Sequence, residues 1–278
     1  MVDVFGVHGI SQQQLGRNQL LAPWKLALSD GVEFARGRRE PEPTLDIGFY
    51  GDFFLKASGT KGPEEQIDLD PDLERFFEEI QDEVVAAGEP VDQSDAKKGM
   101  KELPTPVAKL ASRLERRFGV AGKLLFFGDL TQVRRYQRDD VLSGQVLSRV
   151  REGLRLGSPK VMVGHSLGSI VAYEALCLIP DHGVSTLVTI GSPLGMRSIR
   201  KALRPAARER IPALPPGVTR WVNVYDPNDP VALAGGLAEY WTDATDRTVE
   251  NERDPHLATR YLSKRETGEA VASGLGEP

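Results

Sequence analysis

The sequence predicts an α/β fold, with a mostly parallel central sheet and helices on both faces. Two observations lead there. Short apolar runs rich in β-branched residues alternate with helix-length segments. Those runs are apolar almost throughout, the pattern of strands covered on both faces by crossover helices. A chain of 278 residues can form one domain with a large core, because a domain of this size buries roughly 75% of the surface its unfolded chain exposes. We read residues 1–278 as one such domain.

The first strand is Val2-Asp3-Val4-Phe5-Gly6-Val7, closed by His8-Gly9. Leu21, Trp24, Leu28 and Val32 then recur at helical spacing between Leu20 and Ala35. Leu45 to Tyr50 reads as a second strand, Lys160 to Val163 as a third, Val184 to Ile190 as a fourth and Thr219 to Tyr225 as a fifth. Asp129 to Leu154 reads as one long helix, its charges forming a solvated face. Residues 53–120 break the rhythm and read as a helical insertion. Within it Asp70-Pro71 is a helix start, with an N-cap followed by proline at the first helical position. Leu73, Phe76, Phe77, Ile80 and Val84 follow on one face. A Gly/Pro/Lys-rich stretch runs from Gly88 to Pro106, and a second amphipathic segment from Val107 to Phe118. The insertion is either a surface excursion packed on the sheet or a cap or lid, with Phe76 and Phe77 facing an apolar ligand.

Composition narrows the function. Lys and Arg number 35 against 40 Asp and Glu, a net charge of −5. That acidic balance argues against binding nucleic acid. The single cysteine, Cys177, permits no internal disulfide and no cysteine zinc site. Histidines 8, 165, 182 and 256 have no metal-site spacing, and no metal or cofactor is expected. The start of the chain lacks the pattern of a secretory signal. The most apolar stretch, Val161 to Ile179, contains His165, Ser166 and Glu174, which makes a poor membrane span. A cytoplasmic protein with no stable membrane span is expected, transient lipid contact remaining compatible.

The chemistry centres on Gly164-His165-Ser166-Leu167-Gly168. The pentapeptide pattern alone is weak, but here an apolar strand precedes it and a helical run follows, the setting of a nucleophile elbow. A serine on such a turn is held in strained backbone geometry. Side chains two positions before and after it would collide with the helix or the neighbouring strand, and Gly164 and Gly168 remove them. The serine Oγ then sits at a helix N-terminus, where backbone N–H groups stabilise a developing oxyanion. A serine hydroxyl needs a base, and the base a carboxylate to orient it. Downstream, Asp229 lies in the turn leaving the fifth strand, and His256 follows, giving the order Ser166, Asp229, His256.

This arrangement resembles the α/β-hydrolase fold family, and within it the lipase and esterase branch. The resemblance spans Val2 to about Leu262 apart from the insertion. It rests on the pentapeptide, His8-Gly9-Ile10, Thr189-Ile190-Gly191-Ser192-Pro193-Leu194-Gly195, Asp229-Pro230-Val231 and His256. It implies that the oxyanion donors are the backbone N–H groups of Ile10 and Leu167, with His8 bracing the loop. In this family the acid commonly sits in a G-x-x-D-x-V turn. Asp226 occupies the Gly place and Asp229 the Asp place, so Asp229 is favoured as the acid and Asp226 as a turn former. Asp243 and Asp246 are more distant candidates. For the base, His182 falls after the nucleophile's helix, away from the catalytic edge, and reads as surface, whereas His165 must point away from Oγ. The Gly-Ser-Pro stretch either flanks an acyl pocket or is a plain turn.

The expected activity is cleavage of a carboxylic ester, of a lipid or other small acyl compound, through an acyl-enzyme. A thioesterase, an acyltransferase or, less favoured, a peptidase would use the same triad. A non-catalytic binding protein of this fold is a different class of reading. A nucleotide-binding protein is disfavoured because no G-x-G-x-x-G loop follows a strand.

Overall fold

The computed structural model describes residues 2–10, 12, 14–38, 41–55, 69–86 and 104–276. Six strands form one sheet: β1 (Val4–Val7), β2 (Leu45–Gly48), β3 (Val161–His165), β4 (Thr186–Ile190), β5 (Arg220–Tyr225) and β6 (Ala244–Thr248). Their order is β2-β1-β3-β4-β5-β6 and every neighbouring pair is parallel. The first strand lies one place in from an edge, β2 forms that edge, and β3 to β6 follow in order on the other side.

The strands are apolar on both faces because each face carries helices. Alternate residues point to opposite sides. Val161, Val163 and Val188 join the cluster formed with α1 (Arg17–Arg36), α8 (Ala258–Leu262) and α9 (Arg265–Gly274). Met162 and Leu187 point the other way. They belong to the core shared with α2 (Pro71–Ala86), α3 (Thr105–Arg138), α4 (Asp140–Gly157), α5 (Leu167–Leu178), α6 (Arg197–Lys201) and α7 (Pro205–Arg210). The strand β6 was not expected from the sequence. It is an edge strand whose middle residues Thr245, Asp246 and Arg247 are polar and at most half-buried.

The expected helix from Asp129 to Leu154 is corrected to parts of two helices. Asp139 leaves helical geometry and caps α4, its carboxylate accepting from the Leu142 N–H at 2.9 Å. The N-terminal part of that segment belongs instead to α3, which continues the amphipathic stretch from Val107. Gly119 bends α3 with φ 74°.

Asp70 does cap α2, accepting from the Asp72 and Leu73 N–H groups at 3.0 and 2.8 Å. Arg134 and Arg138 of α3 pair with Asp72 and Asp70 and hold their carboxyls below the usual range, while the backbone N–H of Leu73 is the larger cause for Asp70. The Gly/Pro/Lys-rich stretch from Gly88 lies outside the described residues up to residue 103.

The Phe76–Phe77 pair does not face a ligand. Both rings are buried in the core, and Phe77 meets Phe127 of α3 edge-on, 4.7 Å between centroids. The apolar face of α2 is consumed by α3, which leaves nothing to line a pocket. Phe77→Ala should therefore cost about 3–5 kcal/mol in urea denaturation. A loss below about 1 kcal/mol would place the ring outside the core.

Candidate active site

Ser166 sits between β3 and α5 with φ 54° and ψ −126°. A left-handed φ at a non-glycine residue is uncommon, and the surroundings enforce it. A methyl at Gly164 would lie 2.7 Å from the Gly168 carbonyl oxygen, and one at Gly168 would lie 2.1 Å from that of Val7. The two glycines let α5 cross directly over β3 and β1, and the serine is what remains at the crossing. Its N–H donates to the Ile190 carbonyl at 3.2 Å.

The loop His8-Gly9-Ile10 passes against this elbow, since a methyl at Gly9 would approach Ser166 Cβ to 2.8 Å. His8 braces it. Its Nδ1–H donates to the Gly9 carbonyl at 2.5 Å and its Nε2 accepts from the Tyr50 N–H at 3.0 Å. Burial pushes the His8 imidazole down to about 4, so it is neutral at physiological pH. Leu167 is the first residue of α5. Among the described residues, neither the Ile10 nor the Leu167 N–H has a hydrogen-bond acceptor.

Asp229 and His256 meet. The imidazole Nδ1–H donates to Asp229 Oδ2 at 2.8 Å. Asp229 is fully buried and well supported. The Tyr261 hydroxyl donates to its Oδ2 at 2.8 Å and the Val231 N–H to its Oδ1 at 2.9 Å. Tyr261 escaped the sequence reading, and its hydroxyl is raised above its ordinary range, first by burial and then by Asp229. Asp226 organises the turn, accepting from the N–H groups of Asn228 at 2.8 Å and Asn251 at 2.5 Å.

The remaining candidates fall elsewhere. Asp246 accepts from Asn223 and from the Leu237 and Ala238 N–H groups. His182 is not surface: it is buried, donates from Nε2 to the Pro216 carbonyl and accepts at Nδ1 from the Val184 N–H. It anchors the turn into β4 far from Ser166 in the fold. His165 turns away from Ser166 and donates from Nε2 to the His256 carbonyl at 2.8 Å. The Gly-Ser-Pro stretch is a turn, where Ser192 Oγ accepts from the Leu194 N–H and meets Ser169 Oγ at 2.7 Å.

One side chain at this centre escaped the sequence reading. Asp129, on α3, is buried, and its Oδ2 accepts from Ser166 Oγ at 2.5 Å and from His256 Nε2 at 3.0 Å. The imidazole thus lies between two carboxylates. Burial alone would lower its pKa, but Asp229 and Asp129 outweigh it and push His256 up to about 10. Among the described residues the ring packed against it is that of His165, kept neutral by burial.

A cavity of about 660 Å³ opens over this centre. Its walls are mostly apolar, including Phe118 and Leu125 of α3, Trp24, Pro230 and Leu257, while Ile10, Asp129 and His256 reach it from below. Among the described residues no group of side chains is arranged to hold a metal ion, and no helix is long and apolar enough to cross a membrane.

A sequence model of the alpha/beta hydrolase family matches residues 99–272. That is more than half of the chain, and the chain belongs to this family. No curated protein and no solved structure matches it. Family and fold together make it a hydrolase-type protein.

The raised imidazole has a consequence for stability. Its folded value of about 10 exceeds the ordinary 6.5, so its contribution is complete below about pH 6.5 and is lost as pH rises through about 10. His256→Gln should therefore be less stable than the wild type near neutral pH, and the gap should narrow toward about pH 10 in urea denaturation. A gap that widens over that range would contradict the arrangement.

Proposed function

We propose that this member of the alpha/beta hydrolase family is a serine hydrolase that cleaves a carboxylic ester with an apolar acyl group through an acyl-enzyme. The observation that carries the reading is the bond between Asp229 and His256 beside an elbow serine held at positive φ. In this reading Ser166 Oγ attacks the carbonyl carbon and His256 Nε2 takes its proton. Asp229 holds the tautomer and stabilises the imidazolium. The Ile10 and Leu167 N–H groups, without acceptors among the described residues, receive the oxyanion. His256 returns the proton to the leaving alcohol, and a water activated by the same nitrogen then releases the acid. The sequence of steps needs no metal or organic cofactor.

The substrate class follows from the cavity, whose apolar walls suit an acyl chain. Leu15 and Leu257 stand partly exposed at its edge, where transient contact with lipid is compatible. We read residues 1–278 as one catalytic domain with 53–120 as a cap, since Phe118 closes part of the cavity. The lone Cys177 and the acidic balance fit a cytoplasmic enzyme that takes a small acyl compound and no nucleic acid. A thioester, or transfer to a second alcohol, would use the same groups.

A second reading has its own observation. Ser166 is fully buried and bonded to Asp129 in place of His256, as expected of a binding protein whose centre no longer turns over. Turnover separates the two. On a p-nitrophenyl acyl ester, Ser166→Ala should lower kcat by about 10⁴–10⁶. Asp229→Asn should lower it by up to about 10⁴ through loss of the correct tautomer. Activity retained by Ser166→Ala would end the serine-hydrolase reading.

A further inference from the structure

Asp129 has no part in the chemistry described above, yet it touches both reacting side chains. Its Oδ2 lies 2.5 Å from Ser166 Oγ and 3.0 Å from His256 Nε2. A point within hydrogen-bond reach of both atoms is where a leaving-group oxygen, and later the attacking water, exchanges its proton with the base. In the resting protein a carboxylate oxygen fills that point. Ser166 donates its proton to Asp129, and no bond between Ser166 and His256 is formed among the described residues. The nucleophile is thereby cut off from its base.

The second oxygen shows that this is not a settled structural bond. Asp129 Oδ1 is buried and has no hydrogen-bond partner among the described residues. A buried carboxylate with one orphaned oxygen is a costly arrangement. It also misses both backbone N–H groups of the anion site, so the carboxylate does not sit as a bound product acid would. Space lies beside it, because Asp129 lines a cavity of about 660 Å³.

We propose that Asp129 gates the centre: its carboxylate occupies the proton-transfer position of the resting protein and withdraws before Ser166 reacts. The inference rests on the serine-hydrolase reading and adds a regulatory residue to it. A ligand is well placed to drive the withdrawal. Phe118, Gly122, Leu125 and Asp129 all line the cavity and follow one another at intervals of four, three and four along α3. An acyl chain lying on the first three approaches the fourth. Its carbonyl then competes with the carboxylate for the space beside Ser166.

The test is the second-order rate at which a fluorophosphonate labels Ser166. In that reaction the Oγ–P bond forms, the P–F bond breaks, fluoride leaves and the hydroxyl proton passes to His256. Asp129→Ala should label at least about tenfold faster than the wild type, because the nucleophile regains its base. Asp129→Asn, which keeps the shape but not the charge, should also label faster. Thermal melting establishes that each variant is folded, and Asp129→Asn decides the matter if Asp129→Ala is not. Labelling of the wild type with equal or slower labelling of the folded variants overturns the gate and leaves the hydrolase reading standing. A slow or silent wild type with a reactive variant supports both. No labelling of any folded form overturns the hydrolase reading and the gate with it.

Discussion

The crossing of α5 over β3 and β1 is the constraint on which the rest of the centre depends. Helix and sheet approach so closely there that Cβ atoms at positions 164 and 168 would run into backbone. Contact at that distance fixes the backbone of Ser166 in an unfavourable region and presents the first turn of α5 to whatever binds beside it. Every other contributor is measured from this point. The β1 loop slides in through Gly9, and the turn after β5 delivers Asp229. The segment before α8 brings His256 over from the far side of the sheet order. Remote segments converge because parallel strands all end at the same edge, where the loops of such sheets gather their functional groups.

Electrostatics then decides what state the convergence rests in. One carboxylate beside an imidazole is the arrangement of a base awaiting a proton. Two, on opposite nitrogens, make an imidazolium the favoured form, and a base already carrying a proton cannot take another. Neither carboxylate is interchangeable with the other. Asp229 is locked by Tyr261 and by backbone N–H groups of its own turn, so its position belongs to the scaffold. Among the described residues the Asp129 carboxylate bonds only to Ser166 and His256 and leaves an oxygen without a partner. The first is a fixed support, and the second is the one we propose to be removable.

Much of this was legible in the residues. Buried parallel strands are apolar on both faces, so β1 to β5 announced themselves, as did the elbow with its two flanking glycines. Of the ordered serine, aspartate and histidine, Asp229 and His256 meet, whereas Ser166 bonds to Asp129 instead. What the sequence hid has physical causes. The edge strand β6 is polar in its middle, because only one neighbour and part of one face claim it. The break at Asp139 is a local capping event inside a stretch that keeps helical periodicity on both sides. Phe76 and Phe77 look like ligand-facing rings until the partner helix α3 is known. Asp129 was hardest to see. Arg135, Arg138 and Asp139, further along the same helical stretch, do face solvent, and the two partners of Asp129 lie 37 and 127 residues away in the chain. No local pattern distinguishes a carboxylate buried by a distant serine from one in water.

The placement of that carboxylate on α3 has a further consequence for how recognition and chemistry are joined. One helix supplies an apolar wall of the cavity and, one turn further on, the group that accepts from Ser166 Oγ. The bend at Gly119 lies at the start of this wall, and the pairs of Arg134 and Arg138 with α2 lie beyond its end. Tyr136 also ties the far end to α5 through Glu174, at 2.7 Å. The segment between bend and anchors is therefore the part of α3 that lines the cavity and also the part that bears Asp129. A ligand that only filled the apolar wall would leave the proton on His256. One that also brings an oxygen to the place Asp129 Oδ2 holds competes with the carboxylate for Ser166 and His256 together. In the reading proposed above, selectivity comes from occupying both places at once, so that the groups which recognise the acyl chain also release the base.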